Sequence, residues 1–299
     1  MSVLVVGTVA FDSIETPYGR AREALGGSAT YFSLAASLFG PVRLVSVVGD
    51  DFPRRHLRRL ARRGVHLDGL EVAKGKTFRW AGRYEGDLSE ARTLSTELNV
   101  YGRFAPRIPA AWRGSPFLFL ANGAPSIQLS VLAQVGRPRL AVADTMNLWI
   151  DTTRPELLEV LRRVDGLCLN GEEARALAGE RNLIRAGRRL LEMGPRLVLV
   201  KKGEHGSFLF SRRLRFALPA YPTARVADTT GAGDSFAGGF LGSLSRSRRL
   251  DGRALRRAVA YGTVVASFTV ESLGTGALER ADRGSVQRRF REMVRFASL

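Results

Sequence analysis

Strand-length apolar runs alternate with helical patterns along most of this chain. The strand-like runs are Val3–Gly7, Val42–Val48, Phe117–Leu120, Leu140–Ala143, Gly166–Leu169, Arg196–Val200 and Ser207–Phe210. Between and after them, helical patterns fall at Ala29–Leu38, Arg54–Arg63, Ile127–Val135, Pro155–Arg163, Glu172–Leu177, Ile184–Met193 and Arg253–Val270. Parallel strands need a long crossover, usually a helix. The alternation therefore predicts an α/β fold, a mostly parallel sheet with helices on both faces. Ligands bind such sheets beyond the C-terminal ends of the strands. Two stretches interrupt the pattern. Residues 8–25 carry turn and polar residues, and residues 76–102 alternate apolar and polar with a Gly86-Asp87 turn between, which predicts an antiparallel hairpin.

The most specific chemistry lies in Asp228-Thr229-Thr230-Gly231-Ala232-Gly233-Asp234. A strand, Ala224–Ala227, is expected before it and a helix, Ser235–Leu244, after it. Strand, small-residue turn and helix aim unpaired backbone N–H groups at one point, an anion site reinforced by the helix dipole. A bulky ligand can approach Gly231 and Gly233 because neither carries a Cβ. Asp234 stands at the same helix start. An anion hole beside a carboxylate suits phosphoryl transfer: the hole takes charge developing on phosphoryl oxygens, and the carboxylate takes a proton from the attacking hydroxyl. For a bare Gly-x-Gly-Asp, a tight turn with a capping aspartate is an equally good reading.

The extended string resembles the second signature of the ribokinase-like family, also called the phosphofructokinase B family of carbohydrate kinases. The small and apolar residues that follow it there are Gly238, Gly239, Phe240 and Leu241 here. The resemblance runs nearly end to end: Asp12 after the first strand, Gly26-Gly27 before a small-residue helix, Val47-Val48-Gly49-Asp50-Asp51, Asn170-Gly171-Glu172-Glu173, and Val200-Lys201-Lys202-Gly203-Glu204-His205-Gly206. It implies a three-layer α/β/α sandwich, one domain over residues 1–299, with segments 8–25 and 76–102 forming a β-sheet lid over the substrate. Such lids commonly make dimer contacts, so a homodimer through the lid is implied too. Read from the residues alone, the hairpin could equally be a plain edge of the main sheet.

The resemblance further implies ATP-dependent phosphorylation of a hydroxyl on a sugar or sugar-like molecule, with a nucleoside as the alternative acceptor. Asp234 would be the general base, and the N–H groups of Gly231, Ala232 and Gly233 the anion hole. Asp12, Gly26, Gly27 and Tyr31 fall at substrate-contacting positions, and Asn170, Lys202, Gly203 and Gly206 on the nucleotide side. Glu173 would organise Mg²⁺ through water, since Mg²⁺ keeps several waters; as a residue in a first helical turn it equally serves the dipole. Asp228 and Thr230 would offer oxygens to a monovalent cation, K⁺, with the carbonyls of Val270–Gly276 completing its shell. One departure stands out. Many relatives carry asparagine four residues after the second glycine, where this chain has Tyr31, which puts simple ribose recognition in doubt. The run Asp144–Trp149 either contacts substrate or packs as a loop. A catalytically idle sugar-binding regulator on the same fold is the rival reading, and the intact Asp234 and glycine loop argue against it.

Composition narrows the rest. The 299 residues suffice for a large core, and 45% apolar residues is ordinary for a globular chain. One cysteine, Cys168, excludes an internal disulfide and fits a reducing compartment; its apolar neighbours predict a buried, inert thiol. The chain starts directly in a strand and no apolar run reaches ~18 residues, so a cytoplasmic protein with no membrane span is expected. His56, His66 and His205 show no metal-ligand spacing. The net charge of +18 is mostly arginine, densest over Arg54–Arg63, where Leu57, Leu60 and Ala61 form an apolar stripe beneath a solvated basic face. No nucleic-acid motif accompanies it, so nucleic acid is not the expected partner. Gly75-Lys76-Thr77 fails as a phosphate-binding P-loop because Leu70 stands where its first glycine belongs, and Phe236 spoils a dinucleotide fingerprint at Gly231.

Overall fold

Val3-Leu4-Val5-Val6 carries no polar side chain on either face, as a strand covered on both sides requires. It forms β1 (Val3–Val6), an inner strand of the main sheet. The computed structural model describes residues 1–86, 88 and 91–298. Its further strands are β2 (Ala10–Thr16), β3 (Gly19–Gly26), β4 (Val42–Gly49), β5 (Val65–Ala73), β6 (Arg79–Tyr84), β7 (Ala91–Glu97), β8 (Phe117–Leu120), β9 (Leu140–Asp144), β10 (Gly166–Asn170), β11 (Leu197–Lys201), β12 (Ser207–Ser211) and β13 (Arg215–Leu218). Its helices are α1 (Ser28–Ser37), α2 (Arg54–Arg62), α3 (Pro125–Gln134), α4 (Asn147–Thr152), α5 (Arg154–Arg163), α6 (Gly171–Ala178), α7 (Leu183–Glu192), α8 (Ala232–Leu244), α9 (Gly252–Thr269), α10 (Gly276–Arg280) and α11 (Arg283–Phe296).

Nine strands make the main sheet in the order β13-β12-β11-β10-β9-β8-β1-β4-β5. Neighbours from β11 to β5 run parallel, and β12 and β13 add antiparallel pairings at one edge. Side chains alternate across these strands. Val3, Val5, Phe117, Phe119, Leu140 and Val142 share a core with α1, α8, α9 and α11, while Leu4, Val6, Leu118, Leu120, Ala141 and Ala143 pack with α3 and α5. On the first face Phe32 of α1 stacks on Phe119 with ring centroids 4.2 Å apart. Small residues bring α8 close to its neighbours: a Cβ on Gly238 would strike the Phe32 carbonyl at 2.5 Å, and one on Gly239 the Tyr261 carbonyl at 2.9 Å.

The two interrupting segments form a second sheet, ordered β3-β2-β6-β7. Two antiparallel hairpins join through a parallel β2–β6 pairing that sets Asp12 opposite Trp80. The hairpin is therefore no edge of the main sheet. Asp87, half of the expected turn, lies outside the described residues. Ile14, Tyr84 and Leu88 form a small core of this sheet, flanked by Trp80 and by Leu273. Not all of residues 76–102 belongs to it: Tyr101 is buried in the main core. The aromatic residues of this segment are engaged by the fold itself. Trp80 donates Nε1–H to Thr93 and lies over Gly82, and Phe78 sits edge-on to Tyr101.

Three sequence expectations are corrected. Ala224–Ala227 is not a strand: Val226 is exposed, and the segment's ties are N–H bonds from Ala227 and Asp228 to the Val270 carbonyl. Strand β5 was not among the expected strands; it is an edge strand with an irregular register against β4. On α2 the buried stripe is His56 and Leu60, with Ala61 exposed, because the helix docks against Phe11 and Phe52 through the histidine ring. Cys168 is fully buried as expected, and burial pushes its thiol up to about 12. Among the described residues no helix is long and apolar enough to cross a membrane.

Candidate active site

Three adjacent parallel strands of the main sheet end in polar residues, Asp144 on β9, Asn170 on β10 and Lys201 on β11. Helix α8 starts beside them. Its N-cap is Gly231, at φ +72°, a left-handed conformation in which a side chain is strained. A Cβ there would also meet the Tyr31 ring at 2.3 Å, so glycine is required twice over. Gly233 is helical, and its bareness serves a different end: a Cβ there would meet Lys201 Nζ at 2.9 Å. None of the described residues accepts from the Gly231 or Gly233 N–H. Ala232 differs from expectation, since its N–H donates to the Thr229 carbonyl at 3.1 Å.

Asp234 occupies the third helical position of α8. Burial and the neighbouring Asp144 carboxylate push its pKa well up, the Lys201 ammonium pulls it down, and Asp12 pushes it up again. Lys201 Nζ donates to Asp144 Oδ2 at 3.1 Å, with both side chains largely buried. Burial works against the ammonium, but Asp144 and the charges around it outweigh burial and hold Lys201 above the ordinary lysine value. Asp144 is fixed from behind. Its Oδ1 accepts from the Thr145 N–H, and Gln128 Nε2 ties the Asp144 carbonyl to those of Leu120 and Ala121.

Asp12 comes to the same place from β2. Its Oδ2 accepts from the Gly27 N–H at 3.2 Å, and its carboxylate fills the space above Gly26, where a Cβ would lie 2.0 Å away. The two glycines thus make room for the protein's own Asp12 and for the Thr8 carbonyl under Gly27. Burial raises Asp12 to about 7, with the Gly27 N–H lowering it and Asp228 adding to the rise. Tyr31 is buried in the main core under Gly231, and its hydroxyl has no hydrogen-bond partner among the described residues. Burial, Asp12 and Asp228 hold that phenol well above its ordinary value.

Asp228 is a loop organiser: Oδ1 accepts from the Thr230 N–H at 2.8 Å and Oδ2 from the Gly274 N–H at 3.0 Å. Burial raises its pKa against those hydrogen bonds. The small sheet and the loop are tied directly, because the Thr230 and Tyr84 hydroxyls bond at 3.0 Å and Thr229 Oγ1 donates to the Leu88 carbonyl at 2.7 Å. Burial, partly offset by the Thr230 bond, lifts the Tyr84 phenol to about 12.

Asn170 and Glu173 form a capping box on α6: Asn170 Oδ1 accepts from the Glu173 N–H at 2.8 Å, and Glu173 Oε2 from the Asn170 N–H at 2.7 Å. Lys202 turns away, its ammonium 4.0 Å from the centre of the Phe208 ring. Gly203 is exposed, and Gly206 is buried where a Cβ would strike the Leu218 carbonyl at 2.0 Å. The structure therefore gathers Asp12, Tyr31, Asp228, Thr230, Gly231, Gly233 and Asp234, adds Asp144, Lys201 and Tyr84, and leaves Lys202 outside. The missed Lys201 had a signal. Leu197, Leu199 and Lys201 alternate onto one face of β11, and Leu197 and Leu199 lie in the core shared with α8. Among the described residues no group of three metal-ligating side chains exists.

Comparison with known proteins places this geometry. The profile described as pfkB family carbohydrate kinase matches residues 125–281. A cytidine kinase of Thermococcus kodakarensis is 30% identical over 84% of this chain and 91% of its own length. A nucleoside kinase of Methanothermobacter thermautotrophicus is 28% identical over 96% of this chain and 95% of its own. The structure of an Escherichia coli protein assigned as ribokinase II, in complex with ATP and Mg²⁺, superposes with a TM-score of 0.78 at 20% identity, covering 97% of this chain and 99% of that one.

Proposed function

The chain belongs to the pfkB family of carbohydrate kinases, and from that premise we propose a nucleoside kinase that moves the γ-phosphoryl group of ATP to a sugar hydroxyl of the acceptor through Asp234. The observation that carries the chemistry is Asp234 on the first turn of α8, beside the uncommitted N–H groups of Gly231 and Gly233. The acceptor oxygen attacks the γ-phosphorus and gives its proton to Asp234, whose raised pKa makes it a stronger base than a solvated carboxylate. The P–O bond to the β-phosphate breaks, and its electron pair leaves on ADP. The two glycine N–H groups receive the charge on the transferred group. Asp12 is an acceptor for substrate hydroxyls.

Two relatives matched over most of the chain, the cytidine kinase and the nucleoside kinase, support a nucleoside acceptor, while a 2-dehydro-3-deoxygluconokinase of Thermoproteus tenax, matched over 81% of the chain, keeps a sugar acceptor in play. A sugar remains the second reading because Asp12 serves either acceptor equally. Mg²⁺ fits a site where no three metal-ligating side chains are grouped among the described residues, since phosphate and water would hold most of its shell, and it would supply charge neutralisation to the phosphates. Glu173, buried in the first turn of α6, is the residue proposed to orient its waters. A monovalent cation fits at Asp228, a carboxylate only 1% exposed with no cationic partner among the described residues. Asn170 and Gly203, at the ends of β10 and β11, are proposed to line the nucleotide.

The small sheet is proposed as a lid, latched through Tyr84 and Thr230, and as the dimer contact, since its outer strand β7 leaves Leu94 47% exposed. Sedimentation at rising concentration tests the dimer. A free buried Cys168 suits the cytoplasm. The function is tested by supplying ATP and Mg²⁺ with cytidine, uridine, inosine, ribose or 2-dehydro-3-deoxygluconate and measuring ADP release. Turnover on the last two only would replace the nucleoside reading with the sugar one, and turnover on none would remove both.

A further inference from the structure

We propose that Lys201 is a second catalytic residue, placed by its pairing with Asp144 to contact the transferred phosphoryl group from beneath the glycine loop. This rests on the phosphoryl-transfer reading above. Three observations carry it. The ammonium is so close to Gly233 that any side chain there would meet Nζ at 2.9 Å. It thus lies against the stretch of backbone whose N–H groups are uncommitted. Nζ makes one hydrogen bond among the described residues, to Asp144 Oδ2. An ammonium has three donors, so two remain for a ligand. And the side chain, though largely buried, keeps 18% of its surface open. A lysine placed only to neutralise Asp144 has no reason to sit under the one glycine of the loop that its own conformation does not require.

During transfer the acceptor O–P bond forms as the P–O bond to the β-phosphate breaks, and the three equatorial oxygens carry the charge. An ammonium beside those oxygens supplements two backbone dipoles with a full charge. Asp144 is a positioning residue: it touches Lys201, and its own carboxylate is fixed by the Thr145 N–H. The ionisable groups whose fields reach Asp234 are Asp144 on β9, Lys201 on β11, Asp12 on β2, Tyr31 on α1 and Cys168 on β10. Of these, Asp144 and Lys201 act on Asp234 with opposite sign.

The test compares Lys201→Met, Asp144→Asn, the double variant and Asp234→Asn, with the best acceptor from the panel above and with ADP plus aluminium fluoride, a planar stand-in for the moving phosphoryl group. Lys201→Met should lower kcat by about 10²–10³, the usual worth of one transition-state donor, and lose affinity for ADP–aluminium fluoride while keeping that for ADP. The acid limb of kcat/KM should move to higher pH in Lys201→Met and to lower pH in Asp144→Asn. Removing one partner of a buried pair can unfold a protein by leaving a charge uncompensated. The double variant leaves neither, so it should fold and still be as slow as Lys201→Met. Recovery of rate in the double variant would make the pair structural and overturn the proposal, as would undiminished ADP–aluminium fluoride binding by Lys201→Met. An active Asp234→Asn enzyme would instead overturn the base assignment, and it leaves the aluminium fluoride result to decide Lys201 separately.

Discussion

Replacing Asp12 with asparagine should stabilise the ligand-free protein at alkaline pH and leave it unchanged in acid. Asp12 is 5% exposed and its carboxylate accepts a single N–H, from Gly27. Burial moves it from an ordinary 3.8 to about 7. At about 1.4 kcal/mol per tenfold, the folded chain therefore meets a penalty of about 4 kcal/mol for ionising it. The sign follows from proton counts. Between these two values the folded chain binds the proton that the unfolded chain has lost, so the contribution is fully present below about pH 4 and lost as pH rises through about 7. Asparagine never ionises and its oxygen can still accept from Gly27. Allowing for burial of an amide, the variant should gain about 2–4 kcal/mol over wild type at about pH 8 and nothing at about pH 4. Urea unfolding followed by tryptophan fluorescence at both pH values measures this. Asp234 also has a raised value, partly because of the Asp12 charge, so removing that charge relieves Asp234 as well and acts in the same direction at about pH 8. A stability difference that stays constant across this range would refute the reasoning. The same variant should raise KM for the acceptor, since a carboxylate that binds hydroxyls is lost.

Asp234→Asn should fold and bind ATP while kcat falls by about 10²–10⁴, measured by steady-state kinetics beside a nucleotide-binding titration. Gly231→Ala should cost about 2–4 kcal/mol, from the strain of φ +72° and the Tyr31 contact together. Combined with Tyr31→Ala it should cost less than the sum of the two single changes, as thermal unfolding of the four proteins would reveal. Activity should rise when K⁺ replaces a large inert cation at constant ionic strength, because the Asp228 carboxylate lacks a cationic partner among the described residues. A flat response removes the ion.

The alternation of apolar strands and amphipathic helices made the three layers legible, because a sheet covered on both faces leaves continuous apolar runs such as Phe117–Leu120. The glycine string made the anion loop legible. What the sequence hid was pairwise geometry. Lys202 stood nearer the glycine turn and drew the nucleotide role, whereas strand alternation turns Lys201 toward α8 and sends Lys202 onto Phe208. Glu173 and Asn170 looked like ligands, and their local geometry is also that of a helix cap. Gly26 and Gly27 suggested space for a sugar ring, yet that space holds Asp12 and the Thr8 carbonyl. Ala224–Ala227 has the local preference of a strand, but the neighbour its end bonds to is the Val270 carbonyl at the end of α9, which is no strand.

The position of β1 between β8 and β4 also governs how the molecule can come into being. The inner strand β1 is made well before its partner β8, which begins at Phe117. The carboxylates and cation at the strand ends then wait for α8, beyond residue 231. A ribosome adding about 5–20 residues per second exposes the apolar edge of β1 for several seconds before that edge can be covered. No fragment that stops short of α8 carries a complete site, so activity should appear only once α8 has been made. Non-local pairing of this kind folds slowly, and a chaperone that shelters Val3–Val6 would act during the interval before β8 arrives.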